Sequence, residues 1–155
     1  MAPTAAEQPS YIRYQKSRFS TRLPMGRKYT AAHFWIEERE PGLHRVGFTK
    51  FATRMLGDLV ETGFEIKPGD QVRVGEIIGW IECLKAASDL FCMAEGTFVR
   101  ENPELNDNPD WLQKDPYRKG WLYEARGSVE PNAVDVEGYV AHLDAVIEKM
   151  LGEEQ

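Results

Sequence analysis

The densest chemistry in the chain lies between residues 67 and 102, in KPGDQVRVGEIIGWIECLKAASDLFCMAEGTFVREN. Two apolar runs, 76–83 and 89–92, read as strands. The tight connection between them puts Lys85 at its most exposed position, with Ala86 and Ala87 beside it and Asp89 after it. An ammonium on a four-carbon stem, presented by a rigid hairpin and neighboured by alanines, is sterically open to a modifying enzyme, and acylation would remove its charge. The spacing by itself leaves two readings open, an acylated lysine and an ordinary turn lysine. An enzyme would need a nucleophile within reach of a base. His33, His44, Asp89 and Cys83 fit no such spacing, and a histidine isolated on a strand is ordinarily a hydrogen-bonded structural residue. With no CxxC, no HExxH and no second His or Cys cluster, no metal site is expected either, and Cys83 and Cys92 are too few for a disulfide scaffold.

The elements that must hold this hairpin are legible in the periodicity. From residue 33 onward, short alternating or apolar runs come between turn signals, the pattern of an all-β sandwich or barrel. Strands are expected at 33–38, 43–48, 58–64, 71–74, 76–83, 89–92, 96–100 and 121–125, with turn signals at Pro41 and Gly42, Pro68 to Asp70, Gly75, Gly96 and Gly120. The proline-rich stretch 102–119 cannot hold a strand ladder. It is expected to form short helical turns capped by Asn102 and Asn108 and anchored by Trp111 and Tyr117. A short helix, KFATRML at 50–56, should end on Gly57 as its C-terminal cap. Val136, Tyr139, Val140, Leu143, Val146, Ile147, Met150 and Leu151 recur at helical spacing, so 133–152 reads as a helix with one apolar face. That face packs on the β domain or, in the alternative, enters a partner's groove. Trp35, Trp80, Trp111 and Trp121 read as core residues or, in an unmodified adaptor protein, as an interaction surface.

A chain of 155 residues with 42% hydrophobic and 28% charged positions suffices for one compact domain with ends attached. No apolar run reaches the roughly 20 residues of a membrane span, and no secretory apolar region opens the chain, so a soluble, cytoplasmic protein without membrane association is expected. A net charge of -6 would repel a phosphate backbone, which argues against nucleic acid as a partner. Residues 1–28 form a basic extension with six basic side chains against one acid, Glu7, which leaves a balance of -11 on the remainder. The extension has the composition of a mitochondrial transit peptide, but Pro3, Pro9 and Pro24 interrupt any long amphipathic helix. The alternative packs Tyr11, Ile12, Tyr14, Phe19 and Leu23 on the domain and leaves the charges in solvent. The acidic body offers a docking face to basic partners, an arrangement that mainly raises the on-rate.

The Lys85 hairpin resembles the attachment hairpin of lipoyl and biotinyl domains, through Gly69 and Asp70 at the lead-in turn, Gly75, the Ile81 and Glu82 pair, Lys85, and Ala94 to Gly96 at the return turn. Biotin carriers place Met on both sides of the lysine, whereas Leu84 and Ala86 stand here, and Lys followed by Ala is the lipoyl form. The resemblance extends to the H-protein of the glycine cleavage system, through YTAAHFW (29–35), VGFTKFATRMLGDLV (46–60), ECLKAASD (82–89) and DPYRKGWL (115–122), in matching order and spacing. It implies a mainly β fold of the lipoyl-domain type, a hammerhead-like barrel-sandwich hybrid over 29–127 with short helices and the C-terminal amphipathic helix. It also implies lipoic acid in amide linkage to Lys85, with Glu82, Cys83, Ala86, Ser88, Asp89, Phe34 and His33 around the arm. Such a protein is a carrier without an active site, and a monomer that leaves each partner in turn.

The chain departs from that pattern in three ways. H-proteins place a glutamate between the residues matching His33 and Trp35, facing the amine of the cargo, and Phe34 offers no acceptor there; Lys50 and Phe51 likewise replace an Asp-His pair. Cys83 and Cys92 are the second departure. Beside a dithiolane they either exchange with it, by thiolate attack on sulfur, or are small buried hydrophobes. The long extension is the third. Together these features resemble the H-protein-like lipoate-binding proteins of the heterodisulfide-reductase-like sulfur-oxidising system. That resemblance implies an arm carrying sulfur intermediates, with the heterodisulfide-reductase-like complex, sulfur transferases and a lipoate ligase or assembly enzymes as partners. The alternative is glycine cleavage, with an aminomethyl cargo and P-, T- and L-protein partners.

Overall fold

Apolar and polar residues alternating between turn signals form strands close to the expected positions, and the structure, a computed structural model, describes residues 10–153. The first nine residues of the basic extension, with Pro3, Glu7 and Pro9, lie outside the described residues. In chain order the elements are β1 (Tyr11–Lys16), β2 (Phe19–Pro24), β3 (Lys28–Tyr29), β4 (Phe34–Glu40), β5 (Leu43–Phe48), α1 (Lys50–Leu56), β6 (Leu59–Phe64), β7 (Gln71–Val72), β8 (Ile77–Cys83), β9 (Ala87–Phe91), β10 (Ala94–Glu101), α2 (Trp111–Lys114), β11 (Tyr123–Val129) and α3 (Val136–Glu153). The order β3-β4-β5-β11-β10-β7 makes a six-stranded sheet, β6-β8-β9 makes a three-stranded one, and β1-β2 is a separate hairpin. Among the described residues the fold is mainly β, with two short helices and one long C-terminal helix. Among the described residues no helix is long and apolar enough to cross a membrane.

The main core draws on both larger sheets, with Val46, Ile78, Ile81, Leu90 and Phe98 at its centre. Along β8 the side chains alternate, so Ile81 and Cys83 point into this core while Trp80 and Glu82 point out. Trp80 is therefore not a core residue: it lies across Gly63 on the outer face and is 38% exposed, and a Cβ at Gly63 would meet its ring at 2.4 Å. Trp35 and Trp121 are buried as expected, and Trp111 is half-buried.

A second core joins the ends of the chain to the body. Leu23 of the N-terminal hairpin, Tyr29, Trp35, Phe51, Tyr139 and Leu143 belong to it. The stretch expected as an extension is thus a strand pair whose apolar positions Tyr14, Phe19 and Leu23 are buried, and Tyr14 Oη donates to Asp144 on α3 at 2.8 Å. Helix α3 starts at Val136 rather than at 133, because the backbone of Val134 bridges to Tyr29 and Asp135 accepts from the Gly138 N–H at 2.9 Å. Its apolar face is spent on this core. In the 102–119 stretch, Asn102 and Asn108 tie the loop without capping α2: Asn102 Nδ2 donates to the carbonyls of Lys119 and Trp121 (2.9 and 2.8 Å) and Asn108 Nδ2 to that of Glu104 (2.9 Å). The cap of α2 is Asp110, which makes no side-chain capping bond.

Tyr139 is the fastening point of α3. Its ring stacks on Tyr29 at 4.8 Å between centroids, and its hydroxyl meets Thr49 Oγ1 at 2.7 Å and His33 Nδ1 at 2.8 Å. Thr49 is in turn the N-cap of α1. Tyr139→Phe leaves these two polar groups without that partner in a dry core and is expected to cost about 1–3 kcal/mol of stability, read as a lower urea midpoint at unchanged slope.

Candidate functional site

Strands β8 and β9 reverse through residues 84–86, closed by the Cys83 N–H donating to the Ala86 carbonyl at 3.0 Å. Residues 84–87 are all exposed, Leu84 at 73%. The tip does not stand free. The Lys85 N–H donates to the Leu56 carbonyl and the Leu84 N–H to that of Asp58, both at 2.9 Å. Leu56 is the last residue of α1, and a helix leaves its final carbonyls without intrahelical partners; here the hairpin supplies one. The Lys85 ammonium donates to the Arg54 carbonyl in the same last turn, at 3.3 Å, where the negative end of the helix dipole favours a cation.

Gly57 makes this approach possible. It caps α1 at φ +84°, and a Cβ on it would stand 2.8 Å from Lys85 Cγ and 3.0 Å from the Lys85 nitrogen. Gln113 holds the same turn from the other side, its Nε2 donating to the carbonyls of Thr53 (2.6 Å) and Gly57 (2.8 Å), while Lys50 Nζ donates to the Gln113 carbonyl at 2.8 Å. Sequence reasoning gave Gln113 no role, since a glutamine inside a loop carries no signal. Only the need of helix-end carbonyls for donors points to such a group.

Of the other expected residues, Glu82, Ala86, Ser88 and Asp89 share the hairpin with Lys85. Glu82 is exposed and in register with Ala87 on one side and with Glu61 on the other, so two carboxylates stand side by side on the outer face. Ser88 Oγ donates to the Asp89 carbonyl at 3.0 Å, and the Asp89 side chain is in solvent. Cys83 and Cys92 are free and buried. Ile77 pairs with Phe91 at the far end of the hairpin, six residues from Cys83. At the rise of a strand that puts the thiols on the order of 20 Å apart, beyond the reach of a disulfide. Burial, with Asp58 and Glu82 adding to it, pushes the Cys83 thiol up to about 11, and burial also raises that of Cys92, whose Sγ donates to the Ala94 carbonyl at 3.1 Å. Both thiols stay protonated near neutrality and pack as small hydrophobes, which does not suit the exchange role.

Phe34 and His33 lie at the start of β4. Phe34 is 1% exposed and stacks on Phe48, its partner across β4 and β5, at 4.6 Å between centroids, so it fills the core and does not wall an open cavity. His33 has φ +71°, bonds Tyr139, and packs its ring 4.6 Å from that of Phe51, between α1 and α3. Burial, with His142 adding to it, lowers its pKa to about 4. Among the described residues no group of His, Cys, Asp and Glu is placed to hold a metal ion.

The arrangement is a lysine on a braced tip, its stem laid over a glycine and its nitrogen making one long hydrogen bond. It suits amide formation: an acylated nitrogen keeps one N–H for the same carbonyl. The family model described as "Glycine cleavage H-protein" matches residues 27–145. The glycine cleavage system H protein of Bacteroides fragilis is 39% identical over 126 residues, covering 79% of this chain and 98% of the relative. That of Micrococcus luteus is 37% identical over 124 residues, covering 77% and 96%. The crystal structure of a glycine cleavage system H protein from Mycobacterium marinum superposes with a TM-score of 0.71 at 34% identity, over 79% of this chain and 99% of that one.

Two outcomes follow from the geometry. Gly57→Ala places a Cβ against Lys85 at a positive φ and is expected to cost about 1–2 kcal/mol, with faster hydrogen exchange at the Lys85 and Leu84 amides. Acidification acts through His33. The unfolded chain takes up its proton from about pH 6.5 downward, the folded one only near 4, so stability falls as the pH drops across that window. Urea midpoints at pH 7, 5.5 and 4.5 should show the loss, and His33→Gln should flatten it.

Proposed function

The chain belongs to the glycine cleavage H-protein family, whose members are non-catalytic carriers with lipoate amide-linked to a lysine, and we propose that Lys85 is that lysine and that the protein serves glycine cleavage. The observation that carries this reading is the braced tip: an exposed lysine followed by two alanines, fastened through its own backbone N–H to the end of α1. When attached, lipoate supplies the dithiolane that accepts and releases cargo. The residues of this chain do the positioning. Leu56 and Asp58 hold the tip rigid, Ala86 and Ala87 leave room for the modifying lipoate ligase, and Glu82, Ser88 and Asp89 shape the surface it meets. A rigid base under a flexible arm makes each transfer effectively intramolecular once a partner is docked, here the P-, T- and L-proteins in turn.

A second reading rests on Phe34. A phenyl ring stacked on Phe48 in the core stands where the resemblance to H-proteins expects a carboxylate for an amine cargo; an amine cargo loses that acceptor, whereas a sulfur cargo handed between a sulfur transferase and a heterodisulfide-reductase-like complex does not need it. Intact mass separates the two. Lipoylated protein is mixed with glycine and the decarboxylating P-protein, and separately with a sulfane-sulfur donor. An aminomethyl increment on the Lys85 peptide supports glycine cleavage; sulfur-atom increments there support the second reading. Lys85→Arg should fold with an unchanged urea midpoint and never gain the lipoyl mass. If that variant is lipoylated elsewhere and supports full turnover, the assignment of Lys85 fails.

A further inference from the structure

The matched family residues end at 27 on one side and 145 on the other, yet the β1-β2 hairpin and the last turns of α3 lie beyond them and are packed together. They meet through Lys16 and Glu148 at 3.7 Å, one turn past the bond of Tyr14 to Asp144 at the edge of the matched range. Between them and α1 runs an open groove of about 520 Å³. Its floor is apolar: Phe19 from the hairpin, Phe51 and Met55 from α1, Ile147 and Met150 from α3. Its rim is cationic. Lys16 is engaged by Glu148, but Arg18 and Arg54 are exposed and make no ion pair among the described residues, Arg54 lying over the Phe19 ring at 5.7 Å.

The groove adjoins the attachment point. The Arg54 that lines it also gives its carbonyl to the Lys85 ammonium, and Met55 of the groove and Leu84 beside Lys85 are both exposed apolar side chains, at 53% and 73%. A chain of net charge -6 thus carries a basic, apolar-floored face next to its arm. We propose that this groove docks an acidic surface segment, a carboxylate flanked by apolar side chains, on the enzyme that loads or unloads the Lys85 arm. Charge complementarity selects an acidic occupant, and seating it on the α1 side places the partner's active site within the arm's sweep. The inference rests on the carrier reading above.

Arg18→Glu and Leu151→Asp test it, both on exposed positions of the added elements. Binding of the lipoylated full chain to purified P-protein, and to a purified heterodisulfide-reductase-like complex, is measured by calorimetry at 50 and 300 mM salt. The expected result, with whichever enzyme binds the wild type, is at least tenfold weaker binding for either variant at low salt, with Arg18→Lys retaining affinity and wild-type binding falling as salt rises. Lipoylation by the ligase, read by intact mass, should be unchanged. Variants that are lipoylated and bind as tightly as the wild type overturn the proposal and leave the carrier reading intact; a wild-type chain that never gains the lipoyl mass overturns the carrier reading instead. A wild-type dimer in sedimentation that Arg18→Glu dissociates would give the groove to a second copy and also overturn it.

Discussion

The end of a helix needs donors, and in this protein the β8-β9 hairpin provides them. The carbonyls of α1's last turn have no partners within the helix, and the Lys85 backbone N–H and ammonium answer two of them. A hairpin tip with no such brace would hold its lysine on a flexing loop. Here the backbone under the side chain is fixed by two 2.9 Å bonds, while the ammonium at its end makes one long hydrogen bond, to the Arg54 carbonyl at 3.3 Å. Gly57 is the condition for the contact, since any side chain at that positive φ would occupy the space of the Lys85 stem.

The brace extends through the molecule. Thr49 starts α1 and bonds Tyr139 of α3; Tyr139 also bonds His33, whose left-handed backbone turns the chain into β4. Gln113 and Lys50 close the other side of the helix from the 102–119 loop. The departures from the H-protein pattern that looked like changes to a cargo site are absorbed into this framework: Phe51 packs in the second core, Lys50 donates to the loop, and Phe34 completes the main core with Phe48. Cys83 and Cys92 are likewise part of the packing. Their buried thiols are held protonated, so proximity to Lys85 in sequence does not amount to reactivity.

Much of this was legible beforehand. Strands with alternating residues, the 50–56 helix with Gly57 as its stop, and the helical spacing from Val136 onward all reflect local rules in which side-chain period and backbone conformation agree. In residues 1–28 the basic charges and prolines point to an extension and the apolar residues to packing on the domain; Tyr14, Phe19 and Leu23 take the second course, as a strand pair that composition does not announce. Asn102 does cap a turn, its Oδ1 accepting the Glu104 N–H at 3.1 Å, but its amide also reaches the Lys119 and Trp121 carbonyls far along the loop, and Asn108 serves the Glu104 carbonyl and not a helix start. Trp80 looked like core by residue type, and lies outside because the strand period turns it away from Ile81.

The sequence by itself determined the lysine, the hairpin that carries it and the mainly β framework, because turn chemistry and two-residue alternation act over a few neighbouring residues. Tertiary structure alone decided what surrounds that lysine. Which carbonyls meet the tip, which thiols are dry, where Phe34 points, and how a terminal hairpin and a terminal helix close a groove beside Arg54 depend on contacts between residues up to 130 positions apart, as in the bond of Tyr14 to Asp144. No local pattern encodes such contacts, since burial and hydrogen-bond partnership are properties of the packed whole.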